Sequence, residues 1–253
     1  MRQQLALSVV IPAYNEAQRL PATLESLRAF LDRDGRTAEV IIVDDGSLDG
    51  TSETVRGIER TDQRIRLIRL PQNRGKGYAV RTGVVNAAGK LVLFADADGA
   101  TPFEELLRLE ARLDRDTPIA IGSRAFKSRD TKVEARIYRR IAGRIFHAVV
   151  RLYAIRGFTD TQCGFKLFTS EAAHDLFSRM RMAGYSFDVE VLLMAMRSGY
   201  GVAEVPVNWT HQPGSKVRVV RDGLRMAFDV MRIRTNALRG MYDEPHIALP
   251  ATS

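Results

Sequence analysis

The sequence predicts an α/β fold built on a mostly parallel sheet with helices on both faces. Three observations predict it. Short β-branched runs alternate with helical patterns of roughly 10–15 residues, the spacing of βαβ units. Most of these runs end in a polar cluster, as the carboxyl ends of parallel strands do around a ligand crevice. Finally, 253 residues with a 45% hydrophobic fraction are enough to bury a full core.

The elements follow in order. Leu7 to Ile11 is the first β-branched run and stops at Pro12, and a helical pattern extends from about Pro21 to Leu31. Glu39 to Val43 is a second buried strand, followed by Asp44-Asp45-Gly46-Ser47 and a short helix from Ser52. Ile65 to Leu70 alternates as a third strand, and Gly77 to Ala88 is a small-residue helix. Leu91 to Ala95 is a fourth strand running directly into Asp96-Ala97-Asp98-Gly99. Pro102 opens an amphipathic helix to about Asp114, and Ile119 to Ile121 forms a fifth strand ending in Gly122-Ser123-Arg124. Two C-terminal stretches, Arg136 to Tyr153 and Arg218 to Arg239, have amphipathic helical patterns, and the tail after Gly240 is expected to be loose.

Charge divides the chain. Residues 1–118 hold 17 basic and 18 acidic side chains, residues 119–253 hold 21 and 12, and the net charge is +8. The basic excess in the second part points to an anionic partner. Nucleic acid is disfavoured despite a pI near 9.9, because the aromatic residues form no stacking platform and no binding motif occurs. No run of about 18 apolar residues predicts a membrane-spanning helix, and the residues after Met1 do not resemble a signal peptide. A single cysteine, Cys163, fits a reducing cytoplasm, which makes the Asn208-Trp209-Thr210 sequon accidental.

The polar clusters define the chemistry. Asp and Ser after a strand are common helix caps, and Gly46 serves the turn, so Asp44-Asp45-Gly46-Ser47 alone decides little. Four such clusters, at Pro12–Glu16, Asp44–Ser47, Asp96–Asp98 and Gly122–Arg124, converge on one crevice. Asp96 and Asp98 lie two apart on a rigid apolar strand, where paired carboxylates repel unless a proton or cation intervenes. Hard oxygens suit Mg²⁺ or Mn²⁺, which keep waters and bridge to a diphosphate. Asp45 is placed to read a base or ribose edge, and the Asn73–Gly77 turn offers backbone N–H groups plus Arg74 and Lys76 to a phosphate. The glycine-free turn Pro12–Glu16 argues against a nicotinamide or flavin enzyme and against a sugar-1-phosphate nucleotidyltransferase. The four histidines fall in no cluster.

These residues carry a resemblance. Val10–Glu16, Val43–Ser47 and Asp96–Asp98 resemble the signature of family 2 glycosyltransferases with the GT-A fold. Asp96–Thr101, Asp160–Lys166, Phe187–Glu190 and Gly214–Val217 are similar to the dolichyl-phosphate β-glucosyltransferase branch, so the resemblance covers about Leu7 to Arg239. It implies one GT-A domain over residues 1–240, which the charge split divides into a nucleotide-sugar half (1–118) and an acceptor- and membrane-facing half (119–240), before a flexible tail (241–253). It implies inverting transfer of a sugar, glucose from UDP-glucose, onto a polyprenyl or dolichyl phosphate. Mannose from GDP-mannose and a polysaccharide acceptor remain the alternatives.

By the same resemblance, Pro12, Tyr14 and Glu16 line the nucleotide pocket with Val43 and Asp45 around the base, and Asp96 meets the nucleotide-sugar; Lys76 joins them as a cation of the Asn73–Gly77 turn. Asp98 holds the metal, and Ser215 and Lys216 belong to a loop closing over the donor. Arg124 meets phosphate, Arg136 and Arg140 bind the acceptor phosphate, and Asp188 is the candidate base. Two departures stand out. Ala100 occupies the place where related mannosyl-phosphate synthases carry a metal-supporting Gln, and the chain starts directly at its first strand rather than with a membrane-spanning segment. On a helical wheel, Arg136, Arg140, Arg144, His147 and Arg151 share an arc of roughly 80°. That pattern equally suits a core helix with a solvated stripe and an interfacial helix. A lipid acceptor favours the interface, and with it peripheral attachment to the cytoplasmic face of an anionic membrane.

Overall fold

The computed structural model describes residues 5–125, 131–134, 157–212 and 219–244. A seven-stranded sheet organises them, with strands β1 (Leu7–Ala13), β2 (Ala38–Asp44), β3 (Ile65–Arg69), β4 (Leu91–Ala95), β5 (Ile119–Ser123), β7 (Phe165–Thr169) and β8 (Val202–Pro206). Their order is β3-β2-β1-β4-β7-β5-β8. A separate two-stranded ribbon joins β6 (Val133–Glu134) to β9 (Trp209–Thr210) in parallel. All sheet pairs are parallel except β7, which runs antiparallel to both β4 and β5.

The helices are α1 (Leu20–Asp34), α2 (Thr51–Glu59), α3 (Lys76–Val85), α4 (Glu105–Glu110), α5 (Ser170–Arg179), α6 (Phe187–Arg197) and α7 (Val219–Leu238). Strand side chains alternate between faces, so one strand feeds two cores. Val10, Ile41, Val43, Val92, Phe94 and Ile121 pack with residues of α3, α5, α6 and α7. Val9, Ile11, Val40, Ile42, Leu93 and Ala120 pack with α1, α4 and Val55 of α2. Strands buried on both faces read as near-continuous apolar runs, which is why their β-branched composition found them.

Three helices or strands differ from expectation in extent. The helix expected to reach Asp114 ends at Glu110, where Arg112 and Leu113 donate to Leu109 and Glu110, three residues back. The helix expected to reach Ala88 ends at Val85 for the same reason, with Asn86 and Ala87 bonding to Gly83 and Val84. β5 continues through Gly122-Ser123 because both residues pair with β8. In the segment expected to be loose, Tyr242 is 3% exposed and donates to Glu190 at 2.7 Å. Arg181 and Arg179 donate to the Met241 and Tyr242 carbonyls.

Candidate active site

The carboxyl ends of β1, β2 and β4 lie side by side and place three polar loops together. The loops are stitched to one another by side chains. Asn15, at φ +54°, donates its N–H to Ser47 Oγ at 2.8 Å, and its Oδ1 accepts from Leu48 N at 2.8 Å. Glu16 N donates to Thr51 Oγ1, also at 2.8 Å. Asp44 is fully buried and caps its own turn through Ser47 N and Ser52 Oγ. It is the structural member of the Asp-Asp pair.

Asp45 is buried as well, at 3% exposed, and is held by the next turn. Its two carboxylate oxygens accept from Arg74 N and Gly75 N at 2.7 and 2.8 Å. Two amides of the Asn73–Gly77 turn that were expected to face a phosphate are thus taken by Asp45. Burial raises the Asp45 pKa, and the two amides oppose it. Gly75 sits at φ +102°, and a Cβ there would come within 2.4 Å of the Ala183 carbonyl oxygen. Only glycine fits that turn.

Lys76, the first residue of α3, directs Nζ to Asp96 Oδ1 at 2.6 Å. Burial works against its charge, but Asp96 and Asp188 outweigh burial and hold its pKa above the ordinary lysine value. Asp96 in turn rests on Gly164: its N–H donates to the Gly164 carbonyl at 3.0 Å, and a Cβ on Gly164 would meet its carboxylate at 2.0 Å. Asp98 is held by Ala100 N, and its Oδ2 lies 3.9 Å from Arg19 Nη1. Burial raises the Asp98 pKa, and the neighbouring Asp96 raises it further. Arg19 also grips Glu16 through two contacts of 2.7 and 2.5 Å. Sequence reasoning missed Arg19, although a cation three residues after Glu16 was a readable signal. A cleft of about 300 Å³ beside Asp98 is lined by Arg19, Thr23, Asp98, Thr101, Phe103 and Gln212.

The other expected residues take different places. Pro12 and Val43 are paired across β1 and β2, and both are buried; the Val43 side chain belongs to the core. Tyr14 is half-buried at the loop. Arg124 directly follows β5 and sets its guanidinium on Asp160, at 2.7 Å from Nε and 2.9 Å from Nη2. Burial would raise the Asp160 pKa, but Arg124 more than offsets it and holds it at about 2. Asp188 is 4% exposed and sits 2.7 Å from Lys166 Nζ, which also donates to the Cys163 carbonyl. A proton acceptor there would first have to surrender Lys166. Lys166 and Lys76 lie 5.8 and 5.3 Å from the Phe94 ring centroid, so the two ion-paired lysines meet at one aromatic ring. Burial pushes the Cys163 thiol up to about 12, which excludes a reactive thiolate. Arg136, Arg140, Ser215 and Lys216 lie outside the described residues.

The donor set can be tested for a divalent cation. No group of three or more His, Cys, Asp or Glu side chains among the described residues could enclose one. Asp98 nevertheless offers a hard, partly exposed carboxylate whose charge is costly without a counter-ion. That fits an ion shared between protein and substrate phosphates, the usual habit of Mg²⁺.

The sequence model described as glycosyl transferase family 2 matches residues 8–177. The chain is 42% identical over 251 residues to a dolichyl-phosphate beta-glucosyltransferase of Drosophila melanogaster, covering 94% of this chain and 77% of that protein. It is 39% identical to the Homo sapiens protein of that name, over 93% of this chain and 77% of the relative. Among solved structures, glucosyl-3-phosphoglycerate synthase from Mycobacterium tuberculosis with Mg²⁺ and uridine diphosphate superposes at TM-score 0.65. That match has 18% identity and covers 95% of this chain and 80% of the other. Mannosyl-3-phosphoglycerate synthase from Rubrobacter xylanophilus also matches at TM-score 0.65, with 19% identity over 98% of this chain and 79% of that one. With its GT-A sheet, its strand-end carboxylates and these relatives, the chain belongs to the family 2 glycosyltransferases and is a glycosyltransferase.

Proposed function

We propose that this enzyme transfers glucose from UDP-glucose to dolichyl or a related polyprenyl phosphate, with inversion and with Mg²⁺ or Mn²⁺. What carries the reading is the 37–42% identity, over more than nine tenths of the chain, to relatives that bear the dolichyl-phosphate beta-glucosyltransferase name. The uridine diphosphate and Mg²⁺ of the structural neighbour support the donor and the cation.

In this reading the near-neutral half, residues 1–118, binds the donor, and the basic half receives the acceptor at the cytoplasmic face of a membrane. Pro12, Tyr14, Glu16, the Val43 backbone and Asp45 line the nucleoside pocket. Lys76 exchanges its contact with Asp96 for the donor diphosphate, which frees Asp96 for the sugar. Asp98 would hold the divalent cation, which when bound neutralises charge on the departing diphosphate. An acceptor phosphate oxygen attacks the anomeric carbon, forming the new C–O bond. The bond from that carbon to the β-phosphate oxygen breaks with its electron pair, and UDP leaves. No proton has to be removed, because a phosphate monoester is already largely ionised near neutral pH. A buried, lysine-bound Asp188 is compatible with that economy: it supports the site rather than acting as a base. Arg124, Arg136 and Arg140 serve the acceptor phosphate, and Ser215 and Lys216 close over the donor.

The test is a donor and acceptor screen read as lipid-linked sugar. UDP-glucose with dolichyl or undecaprenyl phosphate is expected to give product. Faster transfer from GDP-mannose would overturn the donor assignment. Transfer to phosphoglycerate in place of either lipid would overturn the acceptor assignment.

A further inference from the structure

The last helix carries two apolar stripes. One is buried: Met226, Val230, Ile233 and Ala237 join the core against the sheet-covering helices. The second faces outward. Phe228 is 66% exposed, Met231 46% and Leu238 76%, and with Thr235 they fall within an arc of roughly 80° at 100° per residue. Exposed Arg225, Arg232 and Arg239 border this stripe on one side, and exposed Arg234 lies on the other. Asp229, the one acidic residue between Arg225 and Arg239, turns away and accepts from Ser186 Oγ at 3.0 Å. Scattered exposed apolar residues need no explanation, but an aligned stripe edged by cations does.

We propose that this outer face of α7 docks onto an anionic lipid bilayer, with Phe228, Met231 and Leu238 entering the headgroup boundary and the arginines contacting lipid phosphates. Charge complementarity selects this partner. An interfacial helix combines an apolar face with flanking Arg or Lys, and each such cation near an anionic surface adds to binding. Long arginine side chains also reach from the edge of such a face to the headgroups. The placement relative to the crevice fits. Ser186, which holds Asp229, follows the Ala183–Tyr185 loop, and Ala183 accepts from Tyr78 N and abuts Gly75. One loop therefore separates the docking helix from Lys76. This deepens the membrane part of the function above, and the binding test contains no acceptor, so the two can fail separately.

The experiment compares sedimentation of the full chain with vesicles of phosphatidylcholine alone and with 30% phosphatidylglycerol. The wild type is expected to bind the anionic vesicles in a salt-sensitive way. Phe228→Ser with Leu238→Ser is expected to weaken binding about tenfold, as is the triple change Arg225→Gln, Arg232→Gln, Arg239→Gln. All these side chains are exposed, so both variants should keep the wild-type melting temperature. Unchanged vesicle binding in both variants would overturn the proposal. So would light scattering that shows a wild-type dimer which Phe228→Ser, Leu238→Ser converts to monomer, since the stripe would then be covered by a second copy of the chain.

Discussion

The carboxylate of Asp96 lies where it does because Gly164 has no side chain. Gly164→Ala places a methyl group 2.0 Å from that carboxylate, so strand or side chain must move. The expected result is a loss of about 1–3 kcal/mol in thermal or urea unfolding, with transfer falling more steeply than stability. Asp98→Asn removes a charge that nothing in the core depends on. Transfer is expected to fall about 10²-fold or more with an unchanged circular dichroism melt, and a fully active variant would refute the role. Lys166 and Asp188 behave differently because both are buried. Lys166→Met alone strands a carboxylate and should cost about 3–5 kcal/mol in urea unfolding. Adding Asp188→Leu should restore most of that loss, since an apolar pair replaces an ion pair. If the double variant is instead the less stable of the two, the pair contributes more than its desolvation costs.

At the scale of elements, the Arg124–Asp160 pair ties the end of β5 to the turn that leads into β7. Asp160 has a folded pKa of about 2 against an ordinary 3.8, so it binds protons less readily when folded. Its contribution is therefore complete above about pH 4 and is lost as pH falls through about 2. Asp160→Asn should lower stability at pH 7 by about 2 kcal/mol and have little effect near pH 2, measured by urea unfolding at both values. The alternation from β1 to β5 was legible because buried parallel strands and their helices differ in period and composition. β7 was not. Phe165-Lys166-Leu167-Phe168 puts a lysine inside a strand, and that lysine is tolerable only because Asp188, far along the chain, meets it. The motif was recognised by resemblance, but its strand was invisible to local pattern. The ends of α3 and α4 were missed for a smaller reason, since a tightened last turn keeps helical periodicity.

Across the whole molecule, no helix among the described residues is long and apolar enough to cross a membrane, and the net charge of +8 is concentrated after residue 118. Transfer to a vesicle-borne acceptor should therefore decline with added salt more than transfer to a short soluble analogue. Chelation by EDTA is expected to abolish transfer and leave the melting temperature unchanged, because no cluster of three ligands among the described residues makes a cation part of the fold. A lower melting temperature on chelation would point to a structural ion. The sequence by itself determined the βα alternation, the glycine-free first turn, the carboxylates at the strand ends and the uneven charge. Each of these is local, written in the period of apolar residues and in what directly follows a strand. Tertiary structure alone decided that β7 slots between β4 and β5, that Asp45 receives the Arg74 and Gly75 amides, and that Lys166 neutralises Asp188. It also left one stripe of α7 facing outward. Those outcomes depend on which distant segments come together, since a buried charge or an open apolar face is defined only by what packs against it.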